Sequence, residues 1–293
     1  MLDQPIKYAR HNMQATDYAM AVTDSFALPD ACTRIKELLD DNSSTAQDIA
    51  DVVSLDPSLS SKLLKLANSA LYNFTSEIST ISRAVNVIGG KALYSLVMTE
   101  TASSAFKHFE NNAIDLERFW QQSVFAALIA KQLAHQLHCK DEERFFLIGL
   151  LHNFGELAVA YKAPELAKQC EAYDEEILPW ELQTKVMGFD YAECSSQILM
   201  LWNLPSNLFT PISKQHDLGL ALKQTDVAIL YLAVRIALSI VHRDKYRYQQ
   251  LVGEDLLNCL KLTDREIEEA TRFARIEAYK ILIIMNPELF VIP

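Results

Sequence analysis

The side chains best placed for chemistry in this chain are two histidines with polar neighbours, His152-Asn153 and His216-Asp217. An imidazole binds metal ions and moves protons near neutral pH. Where imidazoles and carboxylates together hold a cation, the cation lowers the pKa of its bound water and makes it a nucleophile. Asn153 argues against that chemistry, because a neutral amide is a poor replacement for the anionic oxygen a hard cation needs. Two imidazoles can bind zinc weakly, but a catalytic zinc normally has three protein ligands. The plainer role for His152, His216 and Asn153 is hydrogen bonding inside the fold, since buried polar groups must be satisfied.

Other clusters carry less. His135 and His138 fall three apart on an expected helix, with Cys139 next, and so share a face. The same run reads more simply as a solvated helix C-terminus, where imidazole favours the dipole. Gly89-Gly90-Lys91 lacks the earlier glycine (Val85) and the following Ser or Thr (Ala92) of a phosphate loop, and reads as a helix stop. Ser103-Ser104 and Ser195-Ser196 lack a Gly-x-Ser-x-Gly setting. Neighbouring acids such as Glu142-Glu143 and Glu175-Glu176 point to different helix faces and form no paired acid–base site.

The elements that must position these groups are helices. The 293 residues include only 7 Gly and 9 Pro, and half are hydrophobic, which suits long helices with short connections. Ser44-Thr45-Ala46-Gln47 has capping-box spacing, and Asp56-Pro57 reads as an N-cap with Pro at the first helical position. Gly89-Gly90 ends a helix carrying Ile81, Ala84, Val85 and Ile88. Apolar spacing predicts helices over residues 93–109, 119–137, 143–160, 164–172, 178–187, 190–201, 206–215 and 225–242. The apolar run from Val227 stops at Arg235. Thr263-Asp264-Arg265-Glu266 is a second capping box, heading a helix to about Met285. On it Phe273, Ile276, Leu282 and Ile283 indicate a buried face. No alternating β run stands out.

The net charge of −11 gives no electrostatic basis for nucleic-acid or anionic-membrane binding, and no apolar run reaches the ~18 residues of a membrane span. Five cysteines without CxxC spacing, and no leader-like sequence before them, predict reduced thiols in a cytoplasmic protein.

Several blocks resemble the HDOD family, a branch of the HD metal phosphohydrolase superfamily associated with bacterial signalling. They are Leu28-Pro29, Leu55-Asp56-Pro57-Ser58-Leu59, Leu64-Lys65-Leu66-Ala67-Asn68-Ser69-Ala70, Ile78-Ser79-Thr80-Ile81-Ser82-Arg83-Ala84 and Ile88-Gly89, in family order and spacing. Phe119-Trp120, Gly149-Leu150-Leu151-His152, Gly188-Phe189-Asp190 and Trp202-Asn203-Leu204-Pro205 continue it. The resemblance implies an all-α, multi-helix bundle in which an N-terminal helical half packs on an HD-like half. The expected divisions are a leading segment (residues 1–24), the N-terminal half (25–110), the HD-like half (111–244) and a C-terminal helical extension packed on the domain (245–293).

Active HD enzymes hold metal with a first His, a His-Asp pair on a helix, further His residues and a late Asp. Alignment of the motifs puts these positions at Gln122, His152-Asn153, Tyr191, His216 and Val234. Two imidazoles remain and both carboxylates are absent. The resemblance therefore implies a non-catalytic signal-transduction protein with a degenerate metal site and no cofactor. It would act by protein–protein interaction on a separate signalling protein, with homo-oligomerisation left open. The rival readings are a divergent metal-dependent phosphohydrolase and a metabolite sensor using the old pocket. Asn68-Ser69 reads first as a helix C-terminal turn. The alternative is an interaction surface of Asn68, Ser69, Tyr72 and Phe74.

Overall fold

The computed structural model describes residues 13–25, 30–69, 72, 77–106, 113–285 and 287–290. All regular structure among them is α-helical. The fold is organised around the helix Leu116–Gln136, which packs against Glu142–Leu151, Thr225–Val241 and Asp264–Met285. Asp115 starts this central helix by accepting the Arg118 backbone N–H at 3.0 Å. Its buried face mixes Phe119, Trp120, Val124 and Leu128 with Ala126, Ala127, Ala130 and Ala134. The small residues let neighbouring helices approach closely.

The helices from Asp30–Asp40 to Gly90–Phe106 precede the central helix, and Gly90–Phe106 packs on Glu142–Leu151. Asp56 caps the helix Pro57–Ala67 by accepting from Ser58 and Leu59, with Pro57 at the first turn as expected. The capping box of Ala46–Ser54 falls one residue later than the spacing predicts, with Thr45 and Asp48 as its members. Gly89 ends Ile81–Ile88 at φ +86°, a conformation that favours glycine.

Three further expectations change. The leading segment contributes to the core from Ala15 on: the helix Ala15–Ser25 buries Tyr18, Ala19 and Val22 and packs on Tyr191–Leu201. The central helix ends at Gln136, and His138 sits beyond it at φ +55°, so His135 and His138 share no helix face. The stretch 143–160 forms two helices, Glu142–Leu151 and Phe154–Lys162, with the break at His152-Asn153.

That break is held on both sides by glycines. A Cβ on Gly149 would lie 2.6 Å from the Ala127 Cα of the central helix. A Cβ on Gly155 would lie 2.2 Å from the Tyr191 carbonyl oxygen and 2.7 Å from the Cys194 Cβ. The Gly155 N–H donates to Ser195 Oγ, which donates in turn to the Tyr191 carbonyl, each at 2.8 Å. Two close helix crossings, seven residues apart in sequence counting both glycines, thus fix where the His152-Asn153 junction sits.

Gly149→Ala drives a methyl group into backbone that cannot rotate away. It is expected to lower unfolding free energy by about 1–3 kcal/mol. Gly253→Ala, where a Cβ meets nothing within 4 Å, should stay within about 0.5 kcal/mol of wild type. Denaturant unfolding of the two variants checks both.

Candidate functional site

His152, at the end of Glu142–Leu151, is 1% exposed. Its Nδ1 lies 2.6 Å from the Gly149 carbonyl. A carbonyl only accepts, so Nδ1 carries the proton and Nε2 keeps a bare lone pair. Burial, opposed by the Gly149 bond, lowers its pKa to about 4, so the ring is neutral at pH 7. The His152 carbonyl, left over at the helix end, accepts from Gln215 Nε2 at 3.1 Å.

Gln122, His152, Asn153, Tyr191, His216 and Val234 all line one small cavity here, of about 30 Å³. That is room for one or two waters. Tyr191 and Val234 fill its wall with ring and alkyl groups, at 2% exposure each. His216 stacks on Trp180, centroids 4.2 Å apart and planes 14° apart. Burial, then the nearby Arg235 and His152, push its pKa well below the ordinary imidazole value.

The charged residues of the cavity dominate its chemistry, and sequence reasoning missed them. Asn153 Nδ2 donates to the buried carboxylate of Glu156. The other Glu156 oxygen takes the Arg118 guanidinium. Arg118 also makes a two-pronged pair with Glu171 and donates to the Tyr173 hydroxyl at 2.9 Å. Burial works against the charge on Arg118, but Glu156 and Glu171 hold it firmly protonated. Burial raises the Glu156 carboxyl above its usual range, while Arg118 and the Asn153 amide oppose that rise.

A second guanidinium lies close by. Arg235, which ends the apolar run from Val227, lies within the expected helix Thr225–Val241 and is 4% exposed. It sits 4.5 Å from the Trp180 ring centroid and 3.2 Å from that of Tyr231, and donates to the Gln215 and Tyr231 carbonyls at 3.2 Å. The aromatic faces stand in for a counter-ion. Burial still lowers its pKa to about 10. Among the described residues, no group of three or more His, Cys, Asp or Glu is gathered where it could hold a metal ion.

Local signals for these groups exist. Arg118 lies four residues before Gln122, and Glu156 three after Asn153, both shared-face spacings. Arg235 is a lone charge in a long apolar helix.

The interaction-surface residues lie elsewhere. Asn68 makes backbone bonds, donating to the Leu64 and Ile78 carbonyls and accepting the Ile78 N–H at 2.7 Å. Ser69 Oγ donates to the Leu66 carbonyl. The half-buried Tyr72 places its ring 4.5 Å from Lys131 Nζ of the central helix and its hydroxyl 3.2 Å from Glu143. Phe74 lies outside the described residues.

Comparison with known proteins places the chain. The profile of the HDOD domain matches residues 26–218. A protein of Treponema pallidum (strain Nichols), described only as uncharacterized, is 28% identical over 215 residues. That match takes in 70% of this chain and 41% of the relative, so the chain spans about two fifths of that relative's length. A Shewanella amazonensis SB2B structure, provisionally named a phosphohydrolase, is similar at a TM-score of 0.71 and 24% identity, covering 95% of this chain and 99% of that one. An HDOD domain protein of unknown function from Geobacter sulfurreducens gives 0.69 at 21%, with 95% and 99% covered. A Marinobacter aquaeolei VT8 structure, provisionally named a signal transduction protein, gives 0.68 at 20%, covering 95% of this chain and 62% of that one. At these identities the structures establish a shared fold.

The neutral, buried His152 predicts a pH dependence. Its folded pKa of about 4 lies below the ordinary value of about 6.5. Between those values the unfolded chain binds the extra proton, so stability falls as pH drops through 6.5 and the loss levels off near 4. His152→Gln should remove about 3 kcal/mol of the acid-induced loss. Unfolding midpoints of wild type and variant, from pH 7.5 to 4.5, check the sign and size.

Proposed function

The chain belongs to the HDOD domain family, and on that premise we propose that it is a non-catalytic component of bacterial signal transduction, acting by binding a partner signalling protein. The observation that carries this reading is the contact between Asn153 and Glu156. A metal ligand must offer a lone pair. The amide at the position of the HD aspartate has only a neutral carbonyl lone pair to offer, and its Nδ2 donates to a carboxylate already held by Arg118. Glu171, the other acid at the cavity, is likewise taken by Arg118. The residues present therefore do not fit a divalent cation, and no hydrolytic step is derived through one.

The cavity also disfavours the sensor reading. Small-molecule sites usually enclose ~300–1,000 Å³, against about 30 Å³ here. A role in signalling then falls to outer helix faces on a rigid body. The relative from Marinobacter, with the same fold, is described in terms of signal transduction.

Elemental analysis of the purified chain, dialysed without chelator, tests the reading. Metal well below one equivalent is expected. Stoichiometric iron, manganese or zinc with phosphoester turnover would overturn it. Asn153→Asp, which restores the family carboxylate, places a second acid against Glu156. It should cost about 1–3 kcal/mol at pH 7 through loss of the buried bond. The gap to wild type should narrow in mild acid, as a proton shared by the two carboxyls relieves their repulsion. Denaturant titrations at pH 7 and 5 read the difference.

A further inference from the structure

His152 Nε2, Gln215 Oε1 and His216 Nδ1, all at the cavity, are buried atoms with no hydrogen-bond partner among the described residues. His152 and Gln215 are each 1% exposed. Their other polar groups are committed, His152 Nδ1 to the Gly149 carbonyl and Gln215 Nε2 to the His152 carbonyl. What each has left is an acceptor lone pair. Leaving such a group unmet inside a protein costs free energy, and an ordered water or an ion is what usually meets it.

The setting narrows the occupant. Two acceptors call for a donor, which excludes an anion. A cation would stand near the Arg118 and Arg235 guanidiniums, while Glu156 and Glu171 are already held by Arg118. The cavity of about 30 Å³ is far too small for a metabolite, yet it exceeds the ~10–15 Å³ that one water needs. Internal water typically makes about three hydrogen bonds. It can donate twice and still accept.

We propose that the cavity is a water site, in which one water molecule donates its hydrogens to His152 Nε2 and Gln215 Oε1 and accepts the Nδ1 proton of His216. The neutral His216 ring then carries its proton on Nδ1. The water ties the helix break at His152 to the turn after Ser206–Ser213, where Gln215 and His216 stand. This site rests on the reading that no metal fills the cavity.

A high-resolution crystal structure of the full chain, with data collected across the zinc, iron and manganese absorption edges, tests it. A peak without anomalous signal is expected, about 2.7–3.2 Å from both His152 Nε2 and Gln215 Oε1. Oxygen-17 relaxation dispersion of the solvent counts long-lived internal water independently. His216→Phe keeps a ring against Trp180, and Gln215→Met keeps an unbranched side chain of similar length. Each should lower the dispersion amplitude by the share of one water molecule. An empty cavity, or side chains that close on one another, overturns the water site and leaves the metal-free reading standing. An anomalous peak on His152 Nε2 overturns both. A dispersion amplitude that neither variant changes overturns the water site.

Discussion

A buried guanidinium that must find its counter-charges inside the protein is the constraint on which this structure turns. Arg118 is almost wholly withdrawn from solvent, its side chain 11% exposed. Desolvating such a charge costs several kcal/mol unless good geometry and further hydrogen bonds offset it. Glu156 and Glu171 supply the charge and Tyr173 an extra acceptor. These partners come from Phe154–Lys162 and from the chain just after Pro164–Cys170. Satisfying Arg118 therefore ties the start of the central helix to two later segments. The glycine crossings at Gly149 and Gly155 do the complementary steric work of fixing where the helix break sits, and Asn153 reaches Glu156 within the first turn after it.

The same interactions give the cavity its character. Two carboxylates and two guanidiniums lie in or beside it, with two imidazoles that burial keeps neutral. Charge is balanced by side chains alone. Arg118, Glu156 and Glu171 thus satisfy one another's charge within the fold. The chain belongs to the HDOD domain family and shares its fold with the Geobacter sulfurreducens protein.

Much of the fold was legible in the sequence because helix signals are local. Asp56-Pro57, Thr263 through Glu266 and the apolar span 225–242 each act within a few residues, and the structure places helices there. Gln122, His152, Asn153, Tyr191, His216 and Val234 were gathered by matching family blocks, and they line one cavity. What was not legible depends on distant partners. Periodicity runs smoothly through residues 143–160, and only the crossings with the central helix and with Tyr191–Leu201 reveal the break. Arg235 looks like the end of an apolar run until Trp180, far away in sequence, is seen beside it. Ile276 and Ile283 look like core residues by type alone, and only packing shows that they face outward.

The central claim is that Arg118 and Glu156 form one coupled buried unit at the cavity. A double-mutant cycle of Arg118→Met and Glu156→Gln measures that coupling directly by equilibrium unfolding. Arg118→Met alone strands buried carboxylates and should cost about 3–5 kcal/mol. With Glu156→Gln added, the loss should fall short of the sum of the single losses by more than about 1 kcal/mol. Single losses that add to within about 0.5 kcal/mol would contradict the account.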